Sequence, residues 1–333
     1  MNLHNKHIFL FISLITNLIS FGQDIHWSQF NDNQLFQNPA NSGSFKGDYR
    51  FIANRRSQWK SVTEPFTSTN LSVDKKLKKD AGIGLLFFDD AAGDGKFRTN
   101  EFQFNFGHPL KIFKDSNANF RVGLNIGLNH RQINMDLLTF NNQYNGMYYD
   151  ESIPTNENFL SQKNTNFTIG LGSTFKYSFS NLDFEIGTSL FNLNRPNQSF
   201  YEEEVKRDIR SSTFVKTNFL IHKIFSIQPS LNLQIQGVYR SLIIGSNIKY
   251  NLSNTHLKYL AVYFGSWLRN KDAVIFNLGI DYQNWFLGIS YDVNISTLTT
   301  ASNYRGGSEI AIRYIIQQYK PKKITHRICP DYL

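Results

Sequence analysis

From residue 49 onward, apolar and polar positions alternate with a period of two. Phe102, Phe104 and Phe106 are separated by Gln103 and Asn105, and Leu182, Phe184 and Ile186 by Asp183 and Glu185. Val122, Leu124, Ile126 and Leu128 alternate with Gly123, Asn125 and Gly127, and Leu231, Leu233 and Ile235 with Asn232 and Gln234. A period of two sends successive side chains to opposite faces of an extended chain, so each stretch reads as a strand with one apolar and one polar face. About fourteen such segments can be marked off, near 49–57, 65–74, 81–89, 97–108, 119–131, 166–178, 181–192, 209–222, 225–236, 241–252, 255–267, 272–283, 285–295 and 306–318. Many reach the ten or so residues that a tilted strand needs to cross a bilayer. The third and eleventh are the least regular, because Leu86 and Phe88, and Leu260, Val262 and Phe264, place apolar groups on both faces.

The connections between these segments alternate in length. Those after even-numbered segments are mostly tight, as at Phe179-Ser180-Asn181, Ser253-Asn254 and Gln283-Asn284, and those after odd-numbered ones are mostly longer, up to 132–165 and 192–208. The short stretch 237–240 is an exception on the longer side. Even strand number, short turns at one mouth and long loops at the other describe a bacterial outer-membrane barrel, with both termini in the periplasm. The expected fold is therefore all-β, a transmembrane barrel of about fourteen antiparallel strands spanning 49–318. Trp59, Tyr177, Tyr250, Trp267, Tyr282, Trp285 and Tyr291 fall near strand ends and are expected in interfacial girdles. A secreted soluble β-sandwich or propeller is the competing architecture, disfavoured by strand length, the unbroken meander and the lack of a blade-length repeat.

Composition agrees with a surface divided between lipid and water. Thirty Phe and 16 Tyr raise aromatics to 15%, while charged residues are 18% and mean hydropathy is −0.37. Residues 1–22 read as a signal peptide: Lys6 precedes an interrupted apolar run at 8–19, followed by Ser20-Phe21-Gly22. No later run is long enough for a spanning helix, and a closed sheet is the other structure that satisfies its own backbone in a membrane. The single cysteine, Cys329, excludes an internal disulfide. The net charge of +9 is concentrated in runs such as Lys75-Lys76-Leu77-Lys78-Lys79 and Lys320-Pro321-Lys322-Lys323. In an exported chain these fit solvated turns and anionic headgroups or polymers, not nucleic acid.

Candidate chemistry is thin. Asp89-Asp90-Ala91-Ala92-Gly93-Asp94-Gly95-Lys96 lacks the spacing of a calcium or phosphate loop and reads as a hairpin turn. The histidines are scattered, and no Gly-x-Ser-x-Gly elbow occurs, so neither a catalytic site nor a cofactor or metal is expected. Arg121, Arg131, Lys176, Asp183, Glu185, Lys249, Asp281, Glu309 and Arg313 lie on the polar phase of their strands and should face the lumen. There they either form a selectivity lining or are solvated and paired with one another.

The stretch 23–59 precedes and enters the first strand. It carries Gln23-Asp24, Trp27-Ser28-Gln29-Phe30, Leu35-Phe36, Asn38-Pro39-Ala40, Gly43 and Arg55-Arg56-Ser57-Gln58-Trp59. These residues resemble the start of the PorP/SprF family of Bacteroidota outer-membrane proteins, and Phe66 with Ser72-Val73-Asp74 is similar to the strand that follows in that family. The basic tail ending in Cys329-Pro330 is similar to the family's C-terminus. Ile25-His26, where a proline commonly follows the aspartate, and Asn41-Ser42, where Ala or Thr is more usual before the glycine, depart from the pattern.

The resemblance implies a non-enzymatic component of the type IX secretion system that supports secretion or surface retention of sorting-domain proteins such as gliding adhesins. It implies partners among the secretion components, a secreted surface protein, outer-membrane lipid and peptidoglycan-linked periplasmic proteins. Residues 23–48 are then a periplasmic or plug segment, and 319–333 a basic periplasmic tail. Trp27, Gln29, Phe30, Asn38, Pro39, Ala40, Gly43, Arg56, Gln58 and Trp59 are the candidate plug or partner contacts. A FadL-like or porin-like channel for small solutes is the alternative function.

Overall fold

Fourteen stretches form strands, and each pairs antiparallel with its sequence neighbours until the first meets the last. In the computed structural model, which describes residues 24–58, 65–93, 95–157, 159–255, 258–297, 299 and 303–317, they are β1 (Tyr49–Gln58), β2 (Phe66–Lys76), β3 (Gly82–Ala92), β4 (Phe97–Leu110), β5 (Ala118–Gln132), β6 (Lys163–Ser178), β7 (Leu182–Phe191), β8 (Arg210–His222), β9 (Phe225–Gln236), β10 (Tyr239–Asn254), β11 (Tyr259–Arg269), β12 (Ala273–Tyr282), β13 (Trp285–Asn294) and β14 (Arg305–Ile316). Tyr49 lies opposite Ile316 and Gln58 opposite Gly307, so β1 and β14 close the barrel and no sheet edge remains. The signal-peptide residues, Trp59 and the basic tail lie outside the described residues.

The outside of the wall is apolar and the inside polar. Phe102, Leu85 and Leu278 are each about 60% exposed on the outer face, whereas Asn70, Asn105, Asn125, Ser212 and Asn232 are buried on the inner one. A soluble β protein would show the reverse, which removes the sandwich and the propeller. Among the described residues no helix is long and apolar enough to cross a membrane; the crossing is made by strands.

The connections sort by mouth. One carries 133–162, 192–209 and 295–304, together with the short connections 93–96, 237–238 and 270–272. The other carries 77–81, 111–117, 179–181, 223–224, 255–258 and 283–284. Among the aromatics expected at the interfaces, Tyr250, Tyr282, Trp285 and Tyr291 are about half exposed on the outer wall, and Trp285 stacks on Tyr314 at 4.2 Å. Trp267 corrects the expectation: it is 3% exposed and points into the lumen, with its ring 5.4 Å from that of Phe30.

The two irregular strands differ. Leu86 and Phe88 of β3 face inward against Trp27, Leu35 and Phe36. In β11, Leu260, Val262 and Phe264 all share the outward phase, which corrects their expected placing on both faces; the inward apolar residue there is Trp267, against Phe30. Apolar residues appear on both faces where the inner face covers protein instead of water.

Candidate functional site

Residues 24–48 fill the lumen. The segment enters at the long-connection mouth, where the Asp24 N–H donates to Gln236 at 2.6 Å and Arg207 and Arg210 hold the carboxylate at 2.8 and 3.3 Å. It leaves at the tight-turn mouth, where Asp48 donates to the Ile316 carbonyl at 2.8 Å. Asp24 and Ile316 therefore lie at opposite mouths; the two ends of the chain, expected on one side, lie outside the described residues.

Little of the plug is regular: 3-10 turns at Phe30–Asp32 and Pro39–Asn41 flank a single helical turn, α1 (Gln34–Gln37). The second turn follows from its sequence. Proline's missing N–H and fixed φ suit a first helical position, and the Asn38 side chain caps the turn by accepting from the Ala40 N–H at 2.9 Å. Irregular backbone at membrane depth is tolerated when protein surrounds it.

Two apolar contacts anchor the plug. Trp27, Leu35 and Phe36 pack with Leu86 and Phe88, the Trp27 ring meeting Phe36 edge-on at 6.1 Å. Phe30 sits among Ile243, Trp267 and Ile275. Each side chain withdrawn from a wet lumen contributes on the order of 1.5–3 kcal/mol.

Polar contacts fix the register. In the upper part of the lumen the Glu309 carboxylate accepts from the Ser28 and Gln29 N–H groups at 2.8 and 3.1 Å. The Ser28 hydroxyl donates to Asp292 at 2.8 Å and accepts from Arg56 and Arg269, both at 2.6 Å, while the two guanidiniums also grip Asp292 at 2.7 and 2.8 Å. That hydroxyl is thus saturated, its proton given to Asp292 and its lone pairs taken by the two guanidiniums. His26, beside this cluster, is held neutral, well below the usual histidine range, by burial and then by Arg269 and Arg56. Lower down, Arg313 bridges Asp32 at 2.9 Å and Asp281 at 3.2 Å.

At the tight-turn end the wall grips backbone. Arg121 donates to the carbonyls of Ala40, Ser42 and Asp80 at 2.9, 2.6 and 2.7 Å. Asp74 accepts from the Gly43 N–H at 2.8 Å and is paired with Arg50, which also reaches the Asn41 carbonyl at 3.1 Å. The Asn38 amide donates to the carbonyls of Ser173 and Thr188 at 3.0 and 2.9 Å. Gly123 on β5 and Gly172 on β6 make this approach possible: a Cβ at Gly123 would collide with the backbone of Pro39 and Ala40, and one at Gly172 with the Asn38 side chain.

Of the residues singled out from the sequence, Trp27, Gln29, Phe30, Asn38, Pro39, Ala40 and Gly43 are plug residues, and Arg56 binds the plug from the wall. Gln58 ends β1 opposite Phe66 and Gly307. Among the lumen-facing charges Arg121, Glu309 and Arg313 hold the plug. Lys176 pairs with Glu185 at 3.3 Å and donates to Ser44 at 3.0 Å. Lys249 rests 5.4 Å from the rings of Tyr259 and Tyr263, away from the plug. Arg131 instead reaches Gln198 of the 192–209 connection at 2.9 Å, and Asp183 accepts from Asn218 at 3.3 Å.

Sequence reasoning passed over Arg50, Arg207, Arg210, Arg269 and Asp292, and met Asp24, Ser28 and Asp74 only as part of the family resemblance, without a role. The strand residues among them lie on the same polar phase as the charges already marked. Glycines recurring on that phase in neighbouring strands were the further signal that something approaches the wall closely.

Solved barrels share this architecture. The Pseudomonas putida toluene transporter TodX matches with a TM-score of 0.52 at 11% identity, over 84% of this chain and 92% of that one. The Ralstonia pickettii toluene transporter TbuX matches with a TM-score of 0.50 at 8% identity, over 86% and 94%. At such identities the likeness is one of fold. No curated protein matches the sequence. The sequence profile of the type IX secretion system membrane protein PorP/SprF matches residues 19–314, nearly the whole chain. The chain belongs to the PorP/SprF family of type IX secretion membrane proteins, and its closed barrel with an apolar outer wall places it in the outer membrane.

Proposed function

We propose that this barrel is a non-enzymatic component of type IX secretion that supports the secretion or surface attachment of sorting-domain proteins, gliding adhesins among them. The observation that carries the reading is the filled lumen: Asp24 to Asp48 thread the barrel and are held by buried ion pairs and backbone contacts. With the interior occupied, recognition falls to the two mouths. In bacterial barrels long loops face outward, so 133–162 and 192–209 are assigned to the cell surface and the client, and the tight turns to periplasmic secretion components and peptidoglycan-linked proteins. Asp24 then sits at the outer mouth, beside the loop that carries Arg207.

A solute channel is the second reading, supported by a polar cavity of about 410 Å³ between the plug and the β7–β13 wall, lined by Lys216, Asn247, Tyr263 and Asn277 among others. Affinity purification of the tagged protein from outer membranes separates the two. Co-elution of a sorting-domain protein, lost when 133–162 is replaced by a short turn in a barrel that still migrates as heat-modifiable, is the expected result. Solute uptake by the purified protein, with surface display unchanged in a deletion strain, would replace it with the channel.

A further inference from the structure

The outer wall is not evenly convex. Across β14 and β1 to β6 it carries a concave groove of about 1070 Å³, lined by outward side chains such as Phe51, Leu71, Phe87, Phe104, Ile126 and Tyr314. The groove lies on the strands whose inner faces touch the plug. There Gly82, Gly107 and Gly123 let the sheet close directly onto the plug backbone, and Gly172 onto the Asn38 side chain, whereas part of the opposite wall stands off across the polar cavity. Bulk bilayer lipid packs well against a convex wall; a depression of this volume left empty would forfeit dispersion contacts along its whole lining.

The rim of the groove states what fills it. Reading outward residues of β1 and β2 from the tight-turn mouth toward the membrane centre, Tyr49 faces Lys75, Phe51 faces Val73 and Ala53 faces Leu71. The Lys75 ammonium lies 5.0 Å from the Tyr49 ring centre, at the boundary where the apolar lining begins. Below it, the 77–81 and 111–117 turns expose Lys78, Lys79, Lys111 and Lys114; the acid on the first turn, Asp80, is paired with Lys76 at 3.1 Å, and that on the second, Asp115, accepts from the Tyr177 hydroxyl at 2.8 Å and the Asn117 N–H at 2.9 Å. A band of exposed ammonium groups beside a groove of carbon complements an anionic headgroup joined to its acyl chains.

From this we infer that the groove is a specific binding site for an anionic glycerophospholipid, its chains seated along β1 to β5 and its phosphate held by Lys75 and the lysines of the adjoining turns. The proposed orientation of the barrel enters only in choosing a phospholipid of the periplasmic leaflet over lipopolysaccharide, and the secretion role can fail without affecting the site.

The full-length protein is tested in nanodiscs and by native mass spectrometry, with Trp285, which lines the groove, as an optical reporter. Dibrominated phosphatidylglycerol should quench a fluorescence component absent from Trp285→Phe, at a concentration about tenfold lower than dibrominated phosphatidylcholine. Lys75→Glu/Lys78→Glu/Lys79→Glu should remove that preference, and Ala53→Trp/Leu71→Trp should lower retention of either lipid. All substitutions point outward, and heat-modifiable migration checks that the barrel has formed. Equal quenching by the two lipids, retention of lipopolysaccharide alone, or a protein segment found in the groove would overturn the assignment.

Discussion

At the scale of single residues the barrel interior is organised by arginines whose partners are fixed by burial. Arg50 and Asp74 are both 1% exposed and bind each other while also gripping the backbone at Asn41 and Gly43. A pair so placed contributes through the cost of breaking it, since one member alone is an uncompensated buried charge. Arg50→Met should therefore lower barrel stability by about 3–5 kcal/mol, whereas Arg50→Met/Asp74→Leu should cost markedly less. Urea unfolding in detergent, followed by the loss of heat-modifiable migration, measures both; equal costs for the single and double variants would show that Asp74 finds another partner.

At the scale of elements, the plug is a nearly unstructured segment made rigid by its container, and its upper end is the part most open to a control. Burial would push the Asp24 carboxyl up, but Arg207 and Arg210 overcome that and hold it at about 2, against an ordinary 3.8. A depressed acid contributes stability that is present above its ordinary value and lost as pH falls through the folded one. The latch should thus add about 2 kcal/mol, unchanged from pH 8 to pH 5. Thermal unfolding of wild type and Asp24→Asn should differ by a constant amount over that range and converge toward pH 2. A gap that instead opened or closed near pH 6 would assign the latch to a different group. Arg207 sits in the 192–209 connection, so whatever binds that connection acts on the same contact that holds the top of the plug.

At the scale of the whole molecule, the plug occupies the lumen and leaves a polar cavity between part of itself and the β7–β13 wall. Removing 24–43 while keeping residues 1–23 should leave a closed barrel, because β1 pairs with β14 and β2 through residues that the deletion spares. Planar-bilayer recording should then show a steady conductance absent from the intact protein. Failure of the deleted chain to fold would mean that the buried arginines and carboxylates of the inner wall require the plug for assembly.

The period-two alternation determined the barrel by itself, because a strand with one lipid face and one wet face must repeat every two residues and a membrane admits no open sheet edge. Strand number, the division of the connections and the inward phase of Arg121, Glu309 and Arg313 were all legible for that reason. The order of residues from Trp27 to Gly43 was distinctive in the sequence, but periodicity says nothing about a segment without a period. Its path, and the placing of its start at the mouth opposite Ile316, were decided by contacts between residues such as Ser28 and Asp292, separated by most of the chain. Trp267 shows the same limit: near a strand end it has the signature of a girdle residue, but it lies on the inward phase of β11, where Phe30 of the plug covers it. The sequence specified a wall, and tertiary structure decided what the wall encloses, because lipid selects one face of every strand while the inner face is chosen by whatever the lumen holds.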